Sequence, residues 1–341
     1  MQLLHTIIII KAIGITFGCV NTGEDKQSVA TMTTIEASSP DTLVYSSPDN
    51  YSRTLDNSDA SSKVEIRSYK DMLELFEKLN YTPEAWQSGI REVPRVYLPL
   101  IGDRWGPITS KEVTIENKKR LFFRGLAPLI LRANELIMID RTQLQSIKSS
   151  FGKNNSISDV DRKWVLKLAK LYKVKLTEEE ITTAVLTELW TKVDIVPVSL
   201  ALAQAAEESG WGTSRFAAQG NAVYGQWTWG KNAITPEQQR KELGNYGIAS
   251  FETLQQSICA YMLNLNTHNA YSSLRDKRAE LRQRDQKISG SVLAGQLTKY
   301  SERGEEYVKG LRSLMEYNRL SPADDAYLSD DPPIYLVPVL E

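Results

Sequence analysis

Residues 203–229 read AQAAEESGWGTSRFAAQGNAVYGQWTW, and the fold turns on how this stretch is taken. Ala201, Ala205 and Glu208 recur at intervals of four and three, which places them along one line of a helix. Small side chains on that line let another surface approach closely, and Glu208 emerges at its end. Gly210 and Gly212 then stop the helix and bend the backbone. Trp211, Tyr224, Trp227 and Trp229 follow at short intervals, with Gly220 and Gly225 marking turns. Sugar rings present apolar faces that stack on aromatic rings. A glutamate beside such rings has its charged form disfavoured, which lifts its pKa towards that of a useful general acid. On the residues alone two readings stand: an acid at a sugar-binding cleft, or a helix end with aromatic core residues and a solvated carboxylate.

Working outward, apolar periodicity predicts a helix over 196–209 with Pro197 in its first turn. Further helices are predicted over 69–79, 158–172 (capped by Ser158 or Asp159), 177–192, 253–265 and 304–316. The strongest helical signal is 116–140, which Pro128 is expected to kink or divide. Strand-like alternation is confined to 247–251. The fold class expected is therefore mainly α with little β.

The chain has 341 residues with 41 Lys+Arg against 42 Asp+Glu, a near balance that argues against a nucleic-acid binder held by bulk charge. Two cysteines and two histidines exclude a four-cysteine zinc site and a three-histidine catalytic zinc. Neither a metal nor a cofactor is expected, and the chemistry falls to carboxylates. His268 has no acid–nucleophile context and reads as structural, Cys259 as a core residue. Asp194 and Thr191 read as helix-start candidates, and the charge-rich run 275–284 as a solvated face.

Residues 1–20, MQLLHTIIIIKAIGITFGCV, hold a short apolar run ahead of Gly18 and Cys19 and read as an export signal with a lipoprotein-type site at Cys19. From 21 to 63, 23 of 43 residues are Ser, Thr, Asn or Asp, so 21–65 reads as a disordered tether. The chain is thus expected to be exported, periplasmic or membrane-anchored on the cell-wall side through its N-terminus. A helical region (66–190), a catalytic domain (191–320) and a loosely attached acidic tail (321–341) follow.

Glu208-Ser209-Gly210-Trp211-Gly212, preceded by Ala203-Gln204-Ala205-Ala206 and followed by Ser214-Arg215-Phe216, Gly220-Asn221 and Tyr224-Gly225, resembles the glucosaminidase family of peptidoglycan hydrolases (glycoside hydrolase family 73). The run 260–274, then Tyr300-Ser301-Glu302-Arg303-Gly304, resembles its Bax-like subgroup, as do 122–131 and Arg132-Ala133-Asn134-Glu135 upstream. The resemblance covers roughly 69–320. It implies a lysozyme-like fold that cuts the β-1,4 bond between N-acetylglucosamine and N-acetylmuramic acid in peptidoglycan glycan strands, with Glu208 as general acid. Glu207 reads as a surface charge.

An inverting mechanism needs a second carboxylate about 6.5–9.5 Å away and a retaining one about 5–5.5 Å. Glu237 is the weak candidate that the resemblance offers; Glu242, Glu252 and Glu135 are others, the last expected instead to pair with an arginine such as Arg132. The substrate's own N-acetyl group as nucleophile would dispense with any of them, and Tyr271 would then orient that group or simply pack. Trp211, Tyr224 and Trp227 complete the substrate-binding candidates. Two alternatives stay open: a lytic transglycosylase, and a catalytically weak wall-binding protein.

Overall fold

A computed structural model describes residues 34–35, 61–101, 110–176, 180–230, 233–237 and 246–339. Cys19 and the export segment, Glu242 and residues 177–179 lie outside the described residues. The architecture is mainly α, as expected.

Twelve helices carry the described part of the chain. The N-terminal region holds α1 (Tyr69–Lys78), α2 (Pro83–Gln87), α3 (Ser110–Glu112), α4 (Ile115–Asn154) and α5 (Asp159–Leu171). Ser68 and Asp71 form a capping box on α1, and Ser158 caps α5 through the Asp161 amide. Pro128 does not divide the central helix: α4 runs unbroken for 40 residues. Every residue from Gly125 to Leu131 is buried, so packing on several sides outweighs the backbone hydrogen bond that proline forfeits.

The second half contains α6 (Thr183–Lys192), α7 (Val198–Ser209), α8 (Arg215–Gly220), α9 (Leu254–Thr267), α10 (Ser272–Gln283), α11 (Gly290–Ala294) and α12 (Glu305–Tyr317). Helix α7 is buried on nearly all sides and packs against α4, α11 and α12. Its N-cap is Pro197, which has no side-chain acceptor to offer. Asp324, from the C-terminal tail, supplies one: its carboxylate accepts from the Ser199 amide at 2.9 Å, the Ser199 hydroxyl at 2.8 Å and the Gly290 amide at 2.9 Å. A Cβ at Gly290 would overlap Ser199 Oγ, so glycine is what lets α11 come this close.

The tail therefore corrects the expectation of loose attachment. Strand β9 (Ile334–Pro338) lies in the middle of a parallel sheet, between β2 (Ser62–Ile66) and β4 (Val96–Tyr97). The register pairs Val64 with Leu336 and Val96 with Ile334, and Leu336 is buried. Nearby, β3 (Glu92–Val93) pairs with β8 (Tyr327–Leu328). Strand β2 thus begins within the segment 21–65 expected as tether. A second sheet has the order β1 (Thr34–Ile35), β5 (Trp227–Thr228), β7 (Gly247–Ala249), β6 (Ala233–Ile234), and β7 falls where strand was expected.

The run 275–284 is also corrected. Arg275 and Arg278 are buried, and Arg278 donates to the carbonyls of Thr191, Asp194 and Ile195 and to Asn266 Oδ1. Asp194 starts no helix. It is buried among arginines: Arg282 bonds both of its oxygens at 2.6 and 2.7 Å, with Arg141 at 3.6 Å and Arg278 at 3.7 Å. Thr191 lies in the last turn of α6. Just beyond, the Asn134 amide of α4 brackets Val196, donating to its carbonyl at 2.8 Å and accepting from its amide at 3.1 Å.

Candidate active site

Glu208 stands one residue before the end of α7, where Gly210 (φ +56), Trp211 (φ +62) and Gly212 (φ +74) all take left-handed backbone. Ser209 stabilises this reversal: its hydroxyl donates to the Ala205 carbonyl at 2.6 Å and accepts from the Gly212 amide at 2.8 Å. A tryptophan at positive φ is strained by about 1–2 kcal/mol. The ring's placement offsets that strain: it sits edge-on to Phe122 and Phe123 of α4, at 5.8 and 5.1 Å, with Lys119 Nζ 4.9 Å from its centre. Trp211 thus anchors the end of α7 to α4.

The carboxyl of Glu208 faces tyrosines. The Tyr307 hydroxyl of α12 donates to Glu208 Oε1 at 2.7 Å. Gln204, one turn earlier on α7, donates from Nε2 to that same hydroxyl oxygen at 3.0 Å and accepts from Tyr261 at 2.6 Å. Tyr261 stacks on Tyr224 at 3.7 Å, and Tyr307 on Tyr300 at 5.4 Å. Tyr271 is buried with its ring tilted against Tyr300 at 5.7 Å, an arrangement that fits packing. Tyr224 is buried and its hydroxyl bonds nothing among the described residues. On the other side, Gly225 (φ +58) has no side chain to cover Glu208; a Cβ there would stand 4.0 Å from Oε2. Burial pushes the Glu208 pKa up to about 7, against the opposing pull of the Tyr307 hydrogen bond. The Glu207 charge adds to the rise and Arg303 counters it.

Trp227 stacks on Tyr246 at 4.4 Å, and Trp229, 41% exposed, leans on the same ring at 6.5 Å. The remaining acids lie elsewhere. Glu237 is 87% exposed, with Arg215 at 3.9 Å. Glu135 is held by Arg95 through two bonds of 2.8 and 2.9 Å and by Arg132 at 3.1 Å, the arginine pairing expected of it. Glu252 is exposed at the start of α9 and accepts from Gln256. His268 caps a 3-10 turn through Nδ1, and Cys259 is buried, both structural as read.

Tyr307, Tyr300, Tyr261 and Arg303 are neighbours of the Glu208 carboxyl to which the sequence assigned no role. Tyr261, Tyr300 and Arg303 lie in the stretches 260–274 and 300–304 that carry the resemblance, Gln204 lies four residues from Glu208 on the same helical line, and Tyr307 had no local signal.

Residues 183–320 match the glucosaminidase family, described as mannosyl-glycoprotein endo-beta-N-acetylglucosaminidase. The chain is 34% identical over 205 residues to protein bax of Escherichia coli (strain K12), covering 59% of this chain and 70% of that protein. No solved structure matches. The chain belongs to the Bax-like glucosaminidase family. The family match spans α6 to the end of α12 and so contains Glu208 and all five tyrosines of its surroundings. The alignment with protein bax is longer than the family domain, so it takes in helical sequence outside 183–320. Membership suggests a peptidoglycan-related glycosidase with a lysozyme-like, mainly α domain.

Proposed function

We propose that the protein is an endo-β-N-acetylglucosaminidase that cleaves the β-1,4 bond between N-acetylglucosamine and N-acetylmuramic acid in peptidoglycan, with Glu208 as the general acid. The observation that carries this reading is the pairing of Glu208 with Tyr307 in surroundings that keep its proton on near neutrality. Gln204 occupies a lone pair of the Tyr307 oxygen, so the Tyr307 hydrogen is left for Glu208 Oε1. The carboxyl's own proton then resides on Oε2, the oxygen beside Gly225 where a glycosidic oxygen can approach. Transfer of that proton to the leaving oxygen accompanies rupture of the C1–O bond. Water completes the hydrolysis at C1, and its proton restores Glu208.

The buried, unpaired Tyr224 hydroxyl supports a polar ligand, since an unmet hydroxyl costs about 1–3 kcal/mol until something bonds it. The exposed face of Trp229 supports a sugar. Among the described residues neither Glu237, Glu135 nor Glu252 is placed to act as base, because each is committed or solvated as described above. That favours attack by the substrate's N-acetyl group. It also keeps a second reading in view, a lytic transglycosylase, which works with a single acid. Export and membrane attachment through the segment containing Cys19 belong to the proposal as the route to the wall.

Purified peptidoglycan digested by wild type and Glu208→Gln, with borohydride reduction and mass spectrometry of the products, tests it. Reduced N-acetylglucosamine ends that vanish in the variant are expected. Anhydro-muropeptides would move the protein to the transglycosylases, and no product from folded wild type would leave a wall-binding protein.

A further inference from the structure

Glu207, next to the acid on α7, is no free surface charge. Its Oε1 lies 2.6 Å from Nη2 of Arg303, in the turn that leads into α12. The Arg303 guanidinium is also 5.2 Å from the centre of the Tyr307 ring. One cation therefore touches both the acid's helix neighbour and the ring whose hydroxyl bonds the acid.

Among the described residues the other groups packed around the Glu208 carboxyl are tyrosines and Gln204. Tyr307 comes from α12, Tyr300 from the segment before it, Tyr261 from α9, Tyr271 from the turn after α9, and Tyr224 from the turn after α8. Burial raises the phenol pKa values of Tyr224, Tyr261, Tyr300 and Tyr307 well above the ordinary value, so these four stay neutral at any working pH. Among the described residues, Glu207 and Arg303 are the formal charges acting on Glu208.

We infer that the Glu207–Arg303 pair is a positioning device for the acid: closed, it holds Tyr307 against Glu208 and keeps the local charge balanced, which fixes the pH at which Glu208 releases its proton. The inference rests on the reading of Glu208 as the acid. Opening the pair from its two sides has opposite consequences. Without Glu207, the uncompensated Arg303 favours the Glu208 carboxylate. Without Arg303, the uncompensated Glu207 disfavours it. Loosened packing or water entry, by contrast, would move both variants the same way.

The test is the titration of Glu208 in the full-length protein carrying 13C-carboxyl glutamate, with Glu208→Gln assigning the resonance, alongside the pH profile of peptidoglycan digestion. Glu207→Gln is expected to lower the midpoint by roughly half a pH unit and Arg303→Gln to raise it by a similar amount. The double variant should return to within a few tenths of wild type, and both single shifts should shrink in molar salt. Midpoints that move together, or do not move, overturn the inference. If the midpoints split but wild type cuts no peptidoglycan, the pair stands and the glucosaminidase reading falls. Digestion with unsplit midpoints has the reverse meaning.

Discussion

Asp194, buried in the turn ahead of α7, and Glu208, half-buried at the far end of that helix, hold protons in opposite ways. Burial pushes both pKa values upward. At Asp194 the rise is overcome by the bonds from Arg282 and by the charges of Arg278 and Arg141, so the group stays ionised and its pKa falls below the usual range. At Glu208 a neutral phenol and a distant, already paired arginine are too little, and the pKa climbs to about 7. Burial thus does not decide protonation; the partners do. Three guanidinium groups make Asp194 a rivet between α4, α10 and the start of α7. One hydroxyl makes Glu208 a reservoir for a proton.

Removing the reservoir should have the largest effect. Glu208→Gln keeps the shape but has no proton to give, and cleavage should fall by about 100- to 10,000-fold in kcat. Removing the rivet comes next. Asp194→Asn leaves the buried Arg278 and its neighbours without a counter-charge, and chemical denaturation at pH 7 should show a loss of about 3–5 kcal/mol.

Stability against pH then separates the two groups by sign. The Asp194 pKa is lowered in the fold, so its contribution is present above its unfolded value of 3.8 and is lost as pH falls through the folded value. The Glu208 pKa is raised, so the native state binds the extra proton between about 4.5 and 7 and is weakened as pH rises through that window. Glu208→Gln should therefore stabilise the protein at pH 8 by up to about 3 kcal/mol and leave it unchanged near pH 4. For the same reason wild-type kcat/KM should decline above about pH 7, by tenfold per unit in the limit. The smallest effect is expected at Glu237: its solvated side chain predicts Glu237→Gln activity within about twofold of wild type.

Helices with a polar and an apolar side were legible because their period is local. So was the motif around Glu208, including the turn glycines. What escaped was tertiary. Tyr307 bonds Glu208 across 99 positions of chain, with nothing at either end to announce the other. The arginines of α10 looked solvated because a run of charges does not say which members meet carbonyls; Arg278 meets those at the end of α6 and beyond. At Pro128 packing overrode the division of the helix that propensity left open. The contacts of Trp211 were equally hidden, since an aromatic near a carboxyl reads the same before its ring is seen against Phe122 and Phe123.

The parallel placement of β9 between β2 and β4 sets the order in which this molecule can be completed. Its two neighbours are translated some 240–270 positions earlier and must wait, edges unpaired, while everything between is made. Asp324, which caps the helix carrying the acid, arrives in the same late stretch. A growing chain would therefore hold α7 without this cap and the sheet incomplete until β9 emerges. A frameshift or premature stop past α12 would spare every residue around Glu208 and still leave α7 without the Asp324 cap and the sheet without its middle strand.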